Sequence, residues 1–593
     1  MCGIVGYIGP KRKTNWLVEK LKKLEYRGYD SSGVASIEDG NVKIVKAVGK
    51  IAALEEKLSE SDVISCAIAH TRWATHGKPT EVNAHPHSST NQSWTVVHNG
   101  IIENYLEIKN GLKNASLIKS DTDTAVVAEI LAEKKVCDIN GFIDVCSMLK
   151  GSFALGCINK EEDNSIYLAR NKSPLYVAYN NGQMLLASDP ICFVGFSENY
   201  YVLNNNEFAK ATQTDITFYD QNKAQIKKDS VVLDEIMEES GKGEYLHFMI
   251  KEIMEEPVAL NRIVKSYTDN NVLNKFDKNF FSKFNKVEFI GCGTAYHAGL
   301  MGARYIEKCA RVPATSIIAS EFIYMEPIIS PQTLYIFVSQ SGETADTLRA
   351  LELVKKSGAV TIAVTNVLYA SLAKAVDYVL PVCAGPEIAV ASTKAYVCQI
   401  AVLYMLAKRM EEVKSGVQIN YIDSLKTVIE HILKQDYDML KQIAEELKNK
   451  KDSIYIGKDL DYITALEGSL KLKEIAYNYA SSYPSGELKH GFLALIEEGT
   501  IMFVLANHKS INAKTHNAAS EAVSRGAKAI LIGPEETGSD FNPAYHIKMP
   551  NIDELLLPMV SIMPLQYIAY LVSKEKGINP DQPRNLAKSV TVE

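Results

Sequence analysis

The segment KVEFIGCGTAY (286–296) returns 166 residues later in the form DSIYIGKDLDY (452–462), which aligns Gly291 with Gly457. Each segment is a short apolar run that ends at a turn and leads into a helical pattern. A strand followed by a helix is the unit from which parallel sheets are built. The match therefore predicts two related α/β modules in one chain.

Two later strands repeat with nearly the same spacing. TLYIFVSQSG aligns with TIMFVLANHK, which places Val338 over Val504, and DYVLP aligns with YHIKMP, which places Pro381 over Pro550 at a spacing of 169 residues. Three strands that keep almost one spacing predict a doubly wound α/β fold for both modules. The predicted divisions are a linker at 241–269, a first module at 270–430, a second module at 431–580 and a tail at 581–593.

The preceding part, residues 1–240, has a different texture. It contains three strand pairs around short turns: VASIEDGNVKIVKAV (34–48), LYVAYNNGQMLLAS (175–188) and ITFYDQNKAQIKK (216–228). Asp-Gly and Asn-Gly between alternating runs are strong hairpin signals. Helical periodicity appears at residues 15–24 and 123–134. We therefore expect a layered α+β domain with antiparallel sheets.

Composition excludes several classes of protein. The net charge is −7 over 593 residues, and a nucleic-acid-binding protein needs a basic domain instead. The ten cysteines never form a CxxC pair, which favours reduced thiols over disulfides or a zinc site. No apolar run reaches the roughly 18 residues of a membrane span. We expect a cytoplasmic protein without metal, cofactor, nucleic-acid partner or membrane partner.

The chain opens MCGIVGYIG, with a cysteine directly after the initiator methionine. Removal of Met1 is expected before a small residue, and it would give Cys2 a free α-amine. Such an amine titrates near ~7.7–8.0, so it can act as a general base beside the thiol. A cysteine at this position is more often without function, so the neighbouring motifs decide.

Those motifs supply what an attack on a carboxamide requires. Asn99 and the N–H of Gly100 can stabilise an oxyanion. Arg72 and Asp123 have the charges that pair with the carboxylate and ammonium of an amino acid. Taken one at a time, Asn99-Gly100 is equally compatible with a hairpin turn, and the two charged residues with an ordinary surface.

Taken together, six motifs resemble the class II glutamine amidotransferases, which are N-terminal-nucleophile hydrolases. They are CGIVG (2–6), YRGYDSSG (26–33), HTRWATHG (70–77), NAHPH (83–87), HNGIIEN (98–104) and SDTDT (120–124). The resemblance implies that Cys2 hydrolyses glutamine and that Asn99 and Gly100 form the oxyanion hole. It also implies a glutamine pocket contacted by Arg72, Trp73, His85 and Asp123.

The first module carries a hydroxyl-rich turn, and the second module lacks it. Ser339, Gln340, Ser341 and Thr344 lie where a strand meets a helix. A helix N-terminus with several hydroxyl donors suits a phosphate group, whereas an ordinary N-cap needs only one. A dinucleotide is disfavoured because Tyr296 stands where the fingerprint requires its third glycine. A second cluster, VASTK, occupies 390–394.

These turns resemble the sugar isomerase (SIS) domain of phosphosugar isomerases. Joined to the glutaminase, they resemble the amidotransferases that use L-glutamine and D-fructose 6-phosphate to make glucosamine 6-phosphate, which are expected to be homodimers. The motifs include AGPEIAVASTKAY (384–396), LEGSLKLKEIAY (466–477), GELKHG (486–491) and DQPRNLAKSVTVE (581–593). The resemblance implies a Schiff-base lysine at Lys588, a proton-moving carboxylate at Glu474 and a ring-opening histidine at His490 from the neighbouring subunit. The implied sugar-phosphate contacts are Thr294, Ser339, Gln340, Ser341, Thr344, Val390, Ser392 and Lys471.

Alternatives remain open at the level of sequence. Glu467 and Lys471 are spaced as a surface ion pair, which would be worth only ~0.3–0.5 kcal/mol. The modules could also belong to a deglycase-like enzyme or to a sugar-phosphate sensor, although a sensor has no use for Cys2 or Lys588. Phe492 replaces the proline that the family usually has after KHG, and we expect the loop that carries His490 to adjust.

Overall fold

The structure is a computed structural model that describes residues 2–38, 40–74, 76–233, 241–535 and 541–590. The chain divides into two compact units. Unit 1 is Met1–Gly241 together with Ala587–Glu593, and unit 2 is Lys242–Leu586. Among the described residues, no helix is both long enough and apolar enough to cross a membrane.

Unit 1 contains both strands and helices. Its strands are β1 (Gly3–Lys13), β2 (Ser31–Glu38), β3 (Asn41–Val48), β4 (Val63–Arg72), β5 (His87–Ser88), β6 (Trp94–Ile102), β7 (Gly151–Asn159), β8 (Glu162–Asn171), β9 (Tyr176–Tyr179), β10 (Met184–Ala187), β11 (Asn199–Val202), β12 (Glu207–Thr212), β13 (Ile216–Tyr219), β14 (Gln225–Ile226) and β15 (Val231–Val232). Its helices are α1 (Thr14–Lys22), α2 (Ile51–Glu55), α3 (Tyr105–Gly111), α4 (Thr124–Glu133) and α5 (Ile139–Cys146). Short 3₁₀ helices occupy Glu25–Arg27, Ala115–Leu117 and Pro190–Phe193.

The strands of unit 1 form two antiparallel sheets. The first sheet has the order β15-β11-β9-β10-β1-β4-β2-β3, and the second has the order β14-β13-β12-β8-β7-β6-β5. Apolar side chains of both sheets share one buried cluster, including Ile4 and Ile68 from the first and Val97 from the second. Residues that precede β1 and residues on β6 therefore belong to facing layers.

The expected hairpins are present. The strands on either side of Asn181-Gly182 pair as β9 and β10, and those at 216–228 pair as β13 and β14. Strands β2 and β3 also pair, with Glu38 opposite Asn41, while Asp39 lies outside the described residues. The α+β fold predicted for this part is confirmed.

Unit 2 alternates strands and helices. Its helices are α6 (Phe248–Met254), α7 (Glu256–Asp269), α8 (Lys278–Phe281), α9 (Thr294–Ala310), α10 (Ala319–Phe322), α11 (Ala345–Lys356), α12 (Ser371–Ala375), α13 (Lys394–Ser415), α14 (Tyr421–His431), α15 (Tyr437–Leu447), α16 (Leu460–Ala476), α17 (Asn512–Val523) and α18 (Leu557–Glu575). Its strands are β16 (Lys286–Gly291), β17 (Ala314–Ile318), β18 (Thr333–Ser339), β19 (Thr361–Thr365), β20 (Tyr378–Pro381), β21 (Asp452–Gly457), β22 (Tyr479–Pro484), β23 (Ile501–Leu505), β24 (Lys528–Pro534) and β25 (Tyr545–Met549). Two 3₁₀ turns occupy Ser485–His490 and Phe492–Leu495.

The two sheets of unit 2 have the same topology. Their orders are β17-β16-β18-β19-β20 and β22-β21-β23-β24-β25, and every pair is parallel. The two doubly wound modules predicted from the repeat are confirmed. Pairing differs from the sequence alignment by one residue at the second match, because Ile290 lies opposite Phe337 whereas Ile456 lies opposite Val504.

The repeat extends to the backbone dihedral angles of individual corresponding residues in the two modules. Gly293 and Asp459 precede α9 and α16 with nearly identical dihedral angles, φ 55° and ψ −126° against φ 56° and ψ −122°. Both helices end at a left-handed residue, Arg311 in the first module and Tyr477 in the second. Glycine adopts this first conformation freely, whereas aspartate is strained in it.

Residues 248–269, within the segment expected to link the two parts, form helices α6 and α7. Met249, Ile253, Leu260 and Ile263 are buried in the main core cluster of unit 2, with α13 and α18. These helices therefore contribute to the core of unit 2.

Candidate active sites

Cys2 precedes β1, and its thiol lies against the backbone that follows β4. The Sγ atom accepts the N–H of Trp73 at 3.3 Å and lies 3.6 Å from the carbonyl oxygen of the same residue. The loop is fixed from the other side, because Asp30 accepts the N–H of Ala74 at 2.8 Å and Tyr29 packs edge-on against Trp73. The motifs at 26–33 and 70–77 therefore meet at the thiol.

The surroundings of Cys2 keep its thiol protonated. Burial raises the pKa of Cys2, and the N–H of Trp73 and the charge of Arg72 oppose this effect only in part. A buried thiol needs a base that removes its proton as it attacks.

Asn99 and Gly100 lie on β6 of the second sheet. The Asn99 amide donates from Nδ2 to the carbonyl oxygen of Cys2 at 3.0 Å. Gly100 has φ +128°, and a Cβ there would lie 2.0 Å from the carbonyl oxygen of Ser152. Only glycine fits at that position beside Asn99.

Arg72 ends β4 and is almost fully buried. Its Nη2 donates to the carbonyl oxygens of His76 and of Gly77, the latter at 3.2 Å. Its Nη1 is buried and has no hydrogen-bond partner among the described residues. A buried guanidinium with an unused N–H group is suited to an anionic ligand.

Asp123 is buried just before α4. Its carboxylate accepts the N–H of Ile102 at 2.8 Å and lies 3.9 Å from Nδ1 of His98. His85 is also buried and stacks on His70 with ring centroids 4.1 Å apart. Burial lowers the pKa of His85 well below its usual value, so the ring is neutral.

In unit 2, the hydroxyl-rich turn between β18 and α11 is closed by its own hydroxyl groups. The N–H of Gly342 donates to Ser339 at 3.0 Å, and the N–H of Glu343 donates to Ser341 at 3.2 Å. Thr344 precedes α11 without capping it through its side chain. The first N–H groups of a 12-residue helix are thus left uncapped by side chains at this turn, as an anion site requires.

The second cluster precedes α13. Glu387 accepts the N–H groups of Thr393 and Ala395 at 2.9 and 3.0 Å, which fixes the turn that carries Ser392. The N–H of Val390 donates to the carbonyl oxygen of Asp581 at 3.1 Å. Gln340, in the first turn, is half-buried and accepts the N–H of Asn366 through its main-chain oxygen at 3.3 Å.

Helices α9 and α16 bring together Thr294, Lys471 and Glu474. The ammonium of Lys471 lies 3.0 Å from Oγ1 of Thr294 and 2.8 Å from the carboxylate of Glu474. It also lies 3.3 Å from Glu467, and both of these side chains are fully buried. The interpretation of Glu467 and Lys471 as a surface pair is therefore wrong.

Two residues of this network were missed by sequence reasoning about the site. Glu467 accepts from Thr294 at 3.0 Å and lies 2.7 Å from Nδ1 of His297. The available signals were the spacing of Thr294 and His297, three residues apart on α9, and of Glu467 and Lys471, four residues apart on α16.

Charges in this network oppose the effect of burial. Burial would lower the pKa of Lys471, but Glu467 and Glu474 together outweigh it and raise that pKa. Burial would raise the pKa of Glu467, but Lys471, His297 and Thr294 lower it below the usual value. Lys471 is therefore cationic and Glu467 anionic at neutral pH.

His490 is not joined to this network by any hydrogen bond or ion pair among the described residues. His490 ends an exposed 3₁₀ turn, and its side chain has no hydrogen bond to another residue in the described part of the chain. Phe492 stacks on Tyr483 with ring centroids 3.3 Å apart, which anchors the adjoining loop. Lys588 lies in Ala587–Glu593, the segment that groups with unit 1, so its place at the sugar-phosphate site stays a prediction.

The families that match this chain fall in different units, one in unit 1 and the other in unit 2. Residues 70–194 match the glutamine amidotransferase domain, and residues 280–409 and 446–573 match the SIS domain. Over the full length of both chains, the sequence is 43% identical to the glutamine–fructose-6-phosphate aminotransferase [isomerizing] of Clostridium tetani and 39% identical to that of Staphylococcus aureus. The chain belongs to the glutamine–fructose-6-phosphate aminotransferase family.

A solved structure of the same family agrees with unit 2. It is the C-terminal domain of glucosamine-fructose-6-phosphate aminotransferase from Francisella tularensis, 34% identical, with a TM-score of 0.54. The match covers 58% of this chain and all of that one.

In this member of the aminotransferase family, the second module has closed its equivalent of the hydroxyl-rich turn. Asp461, near the start of α16, accepts both the N–H and the Nδ2 group of Asn507 at 2.8 and 2.6 Å. A carboxylate of the protein thus occupies the donors at this turn. The described residues also contain no group of three or more histidine, cysteine, aspartate or glutamate side chains placed to hold a metal ion.

Proposed function

We propose that this protein transfers the amide nitrogen of glutamine to fructose 6-phosphate and isomerises the product to glucosamine 6-phosphate. Glutamine and water give glutamate and ammonia in the first half. Ammonia and fructose 6-phosphate give glucosamine 6-phosphate and water in the second half. The observation that carries the proposal is the full-length similarity to enzymes of that name, together with the two sets of side chains described above.

In the glutaminase half, Cys2 is the nucleophile. The thiol proton passes to the α-amine that Cys2 gains when Met1 is removed, and the sulfur attacks the carboxamide carbon of glutamine. Asn99 and the N–H of Gly100 stabilise the resulting oxyanion. The contact of Asn99 with the main chain of Cys2 supports this role.

The glutamine substrate is held by charge. Arg72 pairs with the α-carboxylate, and its unused N–H group supports this assignment. Asp123 pairs with the α-ammonium. Trp73 and His85 complete the predicted pocket. Trp73 contacts the Cys2 thiol through its main chain, and His85 is a buried residue of the same motif set.

In the sugar half, the phosphate binds at the hydroxyl-rich turn. Ser339, Gln340, Ser341 and Thr344 surround it, with further contacts from the residues implied by the family motifs: Thr294, Val390, Ser392 and Lys471. The N-terminus of α11 adds its positive end. The net charge of −7 makes this local geometry necessary, because the overall field repels a phosphate.

Carbonyl chemistry is assigned to Lys588, Glu474 and His490. Lys588 forms the imine with C2, which releases water, and ammonia then adds at C2 and displaces the lysine amine, so that Lys588 is regenerated. Glu474 moves the proton between C1 and C2, and His490 of the partner subunit opens the sugar ring. The charge on Lys471 supports the choice of Lys588 as the imine-forming lysine, because an amine must be neutral to attack a carbonyl.

We further propose a homodimer without nucleic-acid or membrane partners, located in the cytoplasm. The proposed domains are 1–240, 270–430 and 431–580, with a linker at 241–269 and a tail at 581–593. The limits of the matched families and the end of unit 1 near Gly241 support these boundaries.

Incubation with glutamine and fructose 6-phosphate tests the proposal directly. Mass spectrometry should detect an amino-sugar phosphate and glutamate in equal amounts. Amide-¹⁵N glutamine should transfer its label to the sugar. Glutamate without aminated sugar, in the presence of fructose 6-phosphate, would overturn the proposed acceptor.

A further inference from the structure

The proposed oxyanion donor Asn99 can act only in one of two orientations. An amide side chain has an oxygen and a nitrogen at its end, and the two are nearly the same size. Only the NH₂ group can donate to an oxyanion, so a rotation of 180° would replace a donor by an acceptor. Some neighbouring group must therefore select the orientation.

His70 is placed to make that selection from the oxygen side of the amide, while the carbonyl oxygen of Cys2 accepts from Nδ2 at 3.0 Å on the other side. Its Nε2 lies 3.1 Å from Oδ1 of Asn99 and 2.9 Å from the carbonyl oxygen of His98. Both neighbours are oxygen acceptors, so Nε2 must carry the hydrogen. A rotated Asn99 would turn its NH₂ group toward this N–H, and two donors would then face each other in a buried place.

The hydrogen on His70 stays on this nitrogen. The ring is fully buried, and Nδ1 has no hydrogen-bond partner in the described part of the chain. Burial lowers the pKa of His70 to about 3, so the ring is neutral throughout the working range. The stack on His85 fixes the plane of the ring, and His85 is itself held because its Nδ1 accepts the N–H of His98 at 3.3 Å.

This contact also joins the two sheets at the point where their reactive groups must meet. Cys2 precedes β1, and β1 pairs with β4 so that Ile4 lies opposite His70. Asn99 lies on β6 of the other sheet. His70 is thus the side chain of the first sheet that fixes a donor of the second.

We infer that His70 is a positioning residue for glutamine hydrolysis, which holds the Asn99 amide with its NH₂ group toward the oxyanion through an Nε2–H···Oδ1 hydrogen bond. This inference rests on the proposed function. His70 is fully buried and bonds to Oδ1 of Asn99, so it acts on the oxyanion through that amide. Its effect should therefore appear in the transition state and not in the binding of glutamine.

The test compares four variants by steady-state glutamine hydrolysis. His70→Phe keeps a ring that can stack on His85 but removes the N–H donor. The side chain in His70→Asn is too short to reach Oδ1 of Asn99. Two variants without the hydrogen bond keep the test possible if one of them fails to fold. Each should lose on the order of 10- to 100-fold in kcat with KM changed less than about threefold, because removal of an oxyanion donor costs about 10²–10³. His70→Gln, whose Nε2 can occupy the same place, should recover most of the rate. His87→Phe is the matched control, because His87 packs edge-on against His85 and bonds to Thr122 instead of Asn99.

The double variant His70→Phe/Asn99→Ala decides between a local and a general effect. Its kcat should be no lower than that of Asn99→Ala if His70 affects the chemical step through Asn99, whereas an effect through the stack on His85 should change KM instead. Multiplied losses, a His70→Phe enzyme with the wild-type kcat, or a His87→Phe enzyme equally slow would overturn the inference. Absence of Cys2-dependent hydrolysis in the wild-type protein would overturn the proposed function instead. Borohydride trapping with fructose 6-phosphate shows that each variant has kept its sugar half.

Discussion

Oε2 of Glu467 lies 2.7 Å from Nδ1 of His297, so a carboxylate with no exposed surface is bound to a ring at the edge of the proposed sugar-phosphate site. The same carboxylate contacts Thr294 and Lys471 through its other oxygen. Helices α9 and α16, which come from different modules, are thus joined by one buried acid. The charge and the position of Lys471 both depend on it.

Glu467→Gln should lower stability and slow the sugar reaction. The amide keeps the shape but leaves Lys471 with one carboxylate, and breaking a buried ion pair costs on the order of 3 kcal/mol. Because Lys471 and His297 lower the pKa of Glu467, its stabilising effect is complete above about pH 4.3 and is lost as the pH falls through the folded-state value. Denaturant unfolding of both proteins between pH 3 and pH 7 should show a difference that grows with pH.

The matched control for that change is Glu411→Gln, which removes a half-exposed partner of Lys408 on α13. An exposed helical pair is worth about 0.3–0.5 kcal/mol. Equal losses at positions 467 and 411 would contradict the buried role of Glu467. Product formation from fructose 6-phosphate should fall only in the Glu467 variant.

Asp459 should carry backbone strain that its ion pairs offset. Its φ of 56° favours glycine, and its carboxylate lies 2.7 Å from both Arg304 and Lys308. Asp459→Gly and Asp459→Ala both lose these ion pairs. The difference between their free energies of unfolding therefore reports the cost of the backbone conformation without the ion pairs. The alanine variant should be less stable by about 1–3 kcal/mol, as measured by urea unfolding.

Glycine is also preferred to alanine at any helix N-cap, so a second pair of variants is required. Asp436 precedes α15 with an ordinary φ of −80°. Asp436→Gly and Asp436→Ala should differ by much less than the variants at 459. A difference of the same size at both positions would mean that the positive φ contributes nothing.

Sequence patterns predicted the topology better than the details of the site. Hairpins such as the one at Asn181-Gly182 are local, so short-range signals suffice. The slip of one residue at Val504 has a physical cause, because strands buried on both faces show no alternation to fix their register. Glu467 looked like a surface residue because charged side chains usually mark the exposed face of a helix. Helix α16 is buried around most of its circumference, so its charged side chains do not mark an exposed face.

Cys2→Ala should abolish glutamine hydrolysis and leave the sugar half intact. The substitution removes the sulfur and keeps the α-amine, so it separates the nucleophile from the base. Binding of fructose 6-phosphate, followed by adduct formation, should match the wild type. Amino-terminal sequencing belongs to the same experiment, because methionine still attached in fully active enzyme would contradict the proposed base.

Lys588→Ala should lose the adduct that borohydride traps with fructose 6-phosphate. Lys471 is no substitute, because Glu467 and Glu474 raise its pKa and keep it charged. Peptide mapping of the wild-type adduct should find the added mass on Lys588. Lys588→Arg is the control that keeps the charge without a nucleophilic amine, and an adduct that survives in it would refute the assignment.

Glu256→Gln should stabilise the protein, and increasingly so at higher pH. Glu256 begins α7 with no exposed surface. Burial raises its pKa well above the usual value, Glu387 adds to this, and Gln566 opposes it. The folded chain therefore keeps a proton that the unfolded chain releases above about pH 4.3. Stability from this group is complete below that pH and is lost as the pH rises toward the folded-state value.

The difference between Glu256→Gln and the wild type should therefore be small at pH 4 and grow by up to about 1.4 kcal/mol per pH unit above it. Thermal unfolding between pH 5 and pH 8 measures this. Glu252→Gln should instead destabilise the protein. Glu252 accepts the N–H groups of Ile388 and Ala389, and these hydrogen bonds weaken when its charge is removed. A gain for Glu256→Gln that stays constant with pH would mean that its carboxyl does not titrate differently in the folded chain.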